Sequence, residues 1–443
     1  MLSYKSIKIN KILKFIILWT PVINILAVFA ANTTEEDGLS GFHFGYIRSF
    51  LLTIVSFVVL FNARGKKNFI AINYTLLFVM LLLSFLSSNM LQSLLVFNKF
   101  LIASCLFFAG FYAIKSIKDY KTLLLSTYIT VILIVVYVLL SNIFGFGFSN
   151  YSESNIKFGF VGVNLVKPLS IAIILSPITF LIYPKRKNQL YVVLIILISL
   201  ALIMLGLKRG TVLAVILGFV TLIYFTPFKR KYFSFIPIIV ILSIPVIVYY
   251  GEYFIISLQN RMESTRGGGL VGALDGDQDD TEGRVLEINW VLGRFQDADI
   301  GTKLIGRDPF LARENALGFQ GYKRMNHVDL SSILDSFGLI GFILFILWYG
   351  LIIRYVFKLK QKLKNRYDKE IIAVCLALIA VHVAQSISGT ITGIEVRGLI
   401  LLHLGALISL VISRNIVQNN TEFNLFPSER KILKQSFTKK PNR

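Results

Sequence analysis

Twelve apolar runs, each close to the length of a membrane-crossing helix, divide this sequence and leave few folds open to it. A bilayer core needs about 20 apolar residues per helix. Such runs lie near 12–30, 46–62, 69–86, 94–114, 121–143, 162–183, 189–207, 210–226, 234–250, 332–353, 370–391 and 398–413. With 55% hydrophobic and only 16% charged residues, the chain carries more apolar surface than one water-soluble core can hide, so its solvent is lipid. The expected fold class is an all-α polytopic membrane protein: about twelve transmembrane helices and one large extracytoplasmic loop containing short helices.

The charge pattern gives an orientation. Every second connection is basic: the lysines before the first run, Arg64/Lys66/Lys67, Lys115/Lys118/Lys121, Lys185/Arg186/Lys187, Lys229/Arg230/Lys231, the stretch from Arg354 to Lys369, and the C-terminal tail. By the positive-inside rule both termini are expected in the cytoplasm. The net charge of +22 therefore reflects topogenic clusters, not a soluble basic face, and nucleic acid is not an expected partner. The expected organisation is helices one to nine over 1–250, a large outer loop over 251–331, helices ten to twelve over 332–413 and a basic cytoplasmic tail over 414–443.

Within the loop, Gly267-Gly268-Gly269 and the acidic run from Asp275 to Asp280 read as irregular backbone. Val285, Ile288, Leu292 and Phe295 then recur at helical spacing, which predicts an amphipathic helix from Thr281 to Gln296, with Asp279 or Asp280 near its N-cap. The alternating aspartates fit a calcium loop poorly. Its sixth position, where glycine is needed, is Asp280, and its twelfth, where glutamate is needed, is Leu286.

Cations on the expected outer side oppose the topogenic bias, and an ionised group inside a span costs a few kcal/mol. Arg48, Lys99, Lys167, Lys208, Arg209 and Arg397 lie at or near outer ends of spans, and Arg261, Arg266 and Arg284 lie in the loop. Together they form a candidate collar for a diphosphate, which a planar guanidinium can grip bidentately. The competing explanations are internal pairing, with Glu395 available to Arg397, and snorkelling to lipid phosphates. Of the four histidines, His382 and His403 fall in apolar runs and are expected as core hydrogen-bond partners. His327, in Asn326-His327-Val328-Asp329, stands where the loop re-enters the membrane; it could take a proton from a hydroxyl, with Asp329 or Asp335 orienting it or serving as the base. Cys105 and Cys375 fall in apolar runs and are expected as buried thiols.

Three segments resemble the bacterial O-antigen ligase and O-antigen polymerase superfamily of membrane-embedded glycan transferases. Leu205-Gly206-Leu207-Lys208-Arg209-Gly210-Thr211 resembles its Ser-Arg-Gly hairpin, with Lys208 where serine is usual. Thr281-Glu282-Gly283-Arg284 followed by Trp290 resembles its Gly-Arg…Trp helix, and His327 through Phe337-Gly338-Leu339-Ile340-Gly341 resembles its His…Gly-Leu-Ile-Gly segment.

The resemblance implies a C-type membrane glycosyltransferase architecture in the bacterial inner membrane. It also implies transfer of a glycan from an undecaprenyl-diphosphate-linked oligosaccharide to an acceptor glycan hydroxyl at the outer face, with no cofactor, nucleotide sugar or metal. In that scheme Arg209 and Arg284 neutralise the leaving diphosphate, and His327 or Asp329 acts on the acceptor hydroxyl. The Val328-Asp329-Leu330 run is closer to the polymerase branch, where the acceptor is a second lipid-linked repeat unit, than to the ligase branch, where it is lipid A-core. Partners implied besides the bilayer are a chain-length regulator and a flippase. The rival from another class is a lipid-linked sugar transporter, against which stand the lack of an internal repeat and the position of the cations at the rim.

Overall fold

In a computed structural model of the 443-residue chain, residues 9–31, 44–63, 67–147, 156–206, 209–229, 283–307, 329–386 and 394–420 are described. They fold as helices: α1 (Lys11–Ala31), α2 (Phe44–Asn62), α3 (Lys67–Phe85), α4 (Met90–Ala113), α5 (Ile117–Phe144), α6 (Leu169–Ile182), α7 (Arg186–Leu205), α8 (Arg209–Phe225), α9 (Gly283–Asp297), α10 (Ile300–Ile305), α11 (Asp329–Lys362), α12 (Arg366–Ser386) and α13 (Leu399–Asn420). A short 3-10 turn, Gly162–Val166, leads into α6, and a π turn, Ile394–Gly398, leads into α13. Among the described residues no strand forms, and nine helices are long and apolar enough to cross a membrane, with two shorter apolar helices, Ile70–Phe85 and Gly210–Phe225, beside them. The protein is an all-α, multi-pass membrane protein. Eleven of the twelve expected runs are thus helical; the ninth, 234–250, lies outside the described residues.

The alternation of runs gives the bundle a basic end and an opposite end, toward which α9 and α10 attach. At the basic end the start of α5 is fixed by a capping box, in which Ser116 Oγ accepts from the Asp119 amide and the Asp119 carboxylate accepts from the Ser116 amide. Asp119 also binds Lys14 Nζ at 2.7 Å, which ties α1 to α5.

The middle of the bundle is α4, α6, α12 and α13, whose apolar windows are largely buried inside the protein. Small residues set its closest approach. A Cβ on Gly405 of α13 would lie 1.9 Å from the Phe107 carbonyl oxygen of α4, and one on Gly110 of α4 would lie 2.1 Å from that of Leu402. Without a hydrophobic driving force between helices in lipid, such backbone contact and interhelical hydrogen bonds hold a bundle. The bonds are present: Ser409 Oγ donates to Ile114 O at 2.7 Å, Ser126 Oγ to Leu18 O at 2.7 Å, and Tyr128 OH pairs with Thr179 Oγ1 at 2.6 Å.

Several boundaries differ from those expected. The basic stretch from Arg354 to Lys369 is not one connection, because α11 continues to Lys362. Long basic side chains let the helix run past the apolar core with their heads at its edge; Lys360 Nζ sits 4.0 Å above the Phe225 ring. The tail boundary at 414 also falls inside a helix, since α13 continues to Asn420 and Arg414 is buried against Asp368 at 2.8 Å. Residues 421–443 lie outside the described residues.

Candidate functional site

The site grows from a break in α11. Gly338 has φ 59° and ψ −162°, a conformation essentially reserved for glycine, so Asp329–Phe337 forms a short helical segment set off from the long span that follows. Against that break docks α10. Gly306, its C-cap, has φ 85°, and its amide still bonds Thr302 O at 2.9 Å to close the helix. The next amide, Arg307 N, donates to Asp335 O at 3.0 Å, which joins α10 to the short segment of α11.

The amphipathic helix expected over Thr281–Gln296 forms as α9, Gly283–Asp297. Its expected N-cap aspartates lie outside the described residues. Its inward face is corrected by one position: Val291 is buried at 1% exposure, whereas Leu292 is 44% exposed. A 3.6-residue period admits either i+3 or i+4 as the next inward position after Ile288, and in the contact of α9 with α11 the stripe runs through Ile288, Val291 and Phe295.

These elements bring together four residues. Arg294 lies with its guanidinium carbon 4.3 Å from the centre of the Trp290 ring, one helical turn earlier. Arg307 Nη2 donates to Arg294 O at 2.7 Å. Asp335 is 6% exposed, and its Oδ2 has no hydrogen-bond partner among the described residues. Burial pulls the proton affinity of Arg294 down, and the Asp335 carboxylate opposes that shift. The result is a two-arginine, one-carboxylate cluster at the end of the bundle away from the basic connections. Sequence reading missed Arg294 and Arg307 as site residues. The available signal was Arg294 four positions after Trp290, the spacing at which a helix stacks two side chains.

The expected site residues distribute as follows. Arg209 is the first residue of α8, Arg284 the second of α9 and Asp329 the first of α11, so each stands at a helix start on the α9–α10 end. Lys208, Arg261, Arg266 and His327 lie outside the described residues, as does the acidic run 275–280. Lys99 is exposed on α4, and Lys167 is half-buried at the entry to α6. Arg48 is buried at 8% exposure, and its Nη1 reaches Glu395 Oε1 at 2.8 Å. The pairing expected between Glu395 and Arg397 is thus drawn, in the structure, to Arg48 from another helix. Arg397 is turned inward at 5% exposure and lines a small cavity with Ser104, Trp348, Tyr349 and His382. His382 and His403 behave as core partners: Tyr349 OH lies 2.5 Å from His382 Nε2, and Thr127 Oγ1 lies 2.9 Å from His403 Nε2. Cys105 and Cys375 are buried free thiols.

A family model described as O-antigen ligase matches residues 194–346, which supports the resemblance read from the sequence. The matched segment contains α8, α9, α10 and the break in α11, together with Arg209, Arg284, Arg294, Arg307 and Asp335. No curated protein matches the chain.

Proposed function

We propose that this protein polymerises a surface polysaccharide by joining undecaprenyl-diphosphate-linked repeat units at the outer face of the bacterial inner membrane, with both termini cytoplasmic. In the reaction an acceptor sugar hydroxyl attacks the anomeric carbon of the donor. The anomeric C–O bond breaks, the diphosphate departs with the bonding electron pair, and the hydroxyl proton passes to a base, His327 or Asp329. Negative charge grows on the leaving diphosphate, so fixed cations there stabilise the transition state more than the ground state. Arg209 and Arg284, at two helix starts on one end of the bundle, are assigned that task, and Lys99, Lys167, Lys208, Arg261 and Arg266 are assigned to binding the same lipid-borne diphosphate.

The observation that carries this reading is the family match over 194–346, which spans both arginine helices and the broken span. The Trp290–Arg294–Asp335–Arg307 cluster supports it, because it braces α9 against the membrane span from which Asp329 starts. A second reading has its own support: the matching family is described as a ligase, which would pass the same donor to lipid A-core or another acceptor.

The test is turnover of purified protein with a short-chain polyprenyl-diphosphate repeat unit in EDTA and no added acceptor. A product ladder that collapses in Arg209→Ala and Arg284→Ala supports polymerisation. Transfer only after an acceptor such as lipid A-core is added favours the ligase. No turnover with any acceptor returns the chain to the transporter class.

A further inference from the structure

Helix α10 has no buried residue: Ile300 is 78%, Leu304 43% and Ile305 47% exposed, an unusual display for a helix fixed to the rest of the protein. Its position is set by backbone contact, since a Cβ on Gly338 would lie 2.5 Å from the Leu304 carbonyl group. Gly338 is also where the outward apolar row of α11 begins, with Leu339 37%, Ile340 39%, Ile343 52%, Ile346 44% and Leu347 47% exposed. In a multi-pass membrane protein such a row faces acyl chains. The Gly338–Leu304 approach sets the end of α10 beside the first turn of that row, and Leu292 of α9 is likewise 44% exposed.

Charge follows the same division. Lys303 lies in the last turn of α10 and Arg307 just beyond it, at the end that touches the span, whereas Asp297 and Asp299 lie at the other end. Cations beside an apolar patch at a span end match the zone of lipid phosphates.

We propose that α10 is an interfacial foot. Ile300, Leu304 and Ile305 insert at the boundary between headgroups and acyl chains beside α11, and Lys303 and Arg307 contact lipid phosphates. Amphipathic segments bind there through buried apolar area plus attraction to anionic headgroups. The seat rests on the membrane architecture and not on the reaction. Its consequence does touch the proposed reaction: with α10 held in the interface, the Trp290–Arg294–Asp335–Arg307 cluster is fixed at the height of a lipid-borne phosphate.

The experiment places a nitroxide label at Ile300→Cys and, independently, at Leu304→Cys, in nanodiscs of mixed zwitterionic and anionic phospholipid. Unlabelled-site background is checked on the wild type, whose described cysteines are buried. Labels at Ile343→Cys and Asp297→Cys give the lipid and water references. The expected result is collision with oxygen several-fold favoured over collision with a water-soluble nickel chelate, relative to position 297 and approaching position 343. A label as open to nickel as that at 297 overturns the proposal, and so does one shielded from both quenchers, which would mean that protein, either this chain or a second copy, covers the face. Neither readout needs turnover, so the result stands apart from the test of the transferase reading.

Discussion

Gly306 and Gly338 meet backbone to backbone. A Cβ on Gly338 would lie 2.5 Å from the Gly306 amide nitrogen, and one on Gly306 would lie 2.3 Å from the Ser336 carbonyl oxygen. Each glycine is needed twice, for its positive φ and for the absence of a side chain, and the pair is what joins the loop helices to the broken span.

Gly338→Ala is therefore expected to separate α10 from α11. Strain at a backbone conformation of this kind costs about 1–3 kcal/mol, and the clash adds to it. Thermal melting in detergent should fall, and glycan transfer should fall with it. A variant that melts and turns over like wild type would show that the α10 contact has no part in either.

Asp335→Asn keeps the shape of the side chain and removes the charge facing Arg294 and Arg307. Truncating or neutralising one partner of a buried charged group typically costs about 3–5 kcal/mol where the other charges are left without compensation. Arg307 is exposed and Arg294 half-buried, so the loss here should be smaller, about 1–2 kcal/mol in chemical denaturation, after discounting for solvent screening. Transfer by the Asn variant should drop more than its stability does, and equal drops would make the cluster a structural brace alone.

Arg48 and Glu395 separate two roles for the same cation. With the 2.8 Å pair as its task, Arg48→Ala, Glu395→Ala and the double variant should form a cycle with a coupling energy of about 0.5–3 kcal/mol in stability, and all three should retain transfer. If Arg48 instead serves the diphosphate, Arg48→Ala loses transfer while Glu395→Ala keeps it.

Asp299 caps α10, accepting from the Thr302 amide at 2.9 Å and the Thr302 hydroxyl at 2.6 Å, and those bonds hold its pKa below the usual carboxylate value. A depressed folded pKa means that the cap's contribution is present above the unfolded carboxylate pKa and is lost as pH falls through the folded value. Hydrogen exchange of the α10 amides, corrected for intrinsic rates, should therefore show fraying in acid. Asp299→Asn retains a capping oxygen and should remove that pH dependence.

Gly405→Leu should be far more damaging than any change at the lipid face. The Cβ alone would stand 1.9 Å from the Phe107 carbonyl oxygen, so α4 and α13 would have to part along the centre of the bundle. Loss of monodisperse protein in size-exclusion chromatography is the expected readout, with Ile343→Leu, at a lipid-facing position, as the unaffected control.

Much of this protein was determined by its sequence alone. Helix positions follow from apolar runs because lipid cannot satisfy a free peptide group, so each run has to satisfy its own backbone within a helix. The fates of His382, His403, Cys105 and Cys375 followed from the same runs, since a group inside a buried helix either finds a partner or stays inert. The amphipathic α9 was legible from its period, but its inward face was off by one residue, because a 3.6-residue period admits either Val291 or Leu292 after Ile288 and only the contact with α11 decides between them. What only the tertiary structure decided was pairing. Glu395 reaches Arg48 across 347 positions, Arg397 turns inward beside His382, and Arg294 and Arg307 gather near Asp335. A span end written in sequence has a height in the membrane but no azimuth around the bundle. Which charges meet is set by how helices rotate and pack, and here two glycine contacts, Gly405 on Phe107 and Gly338 on Gly306, fix that packing.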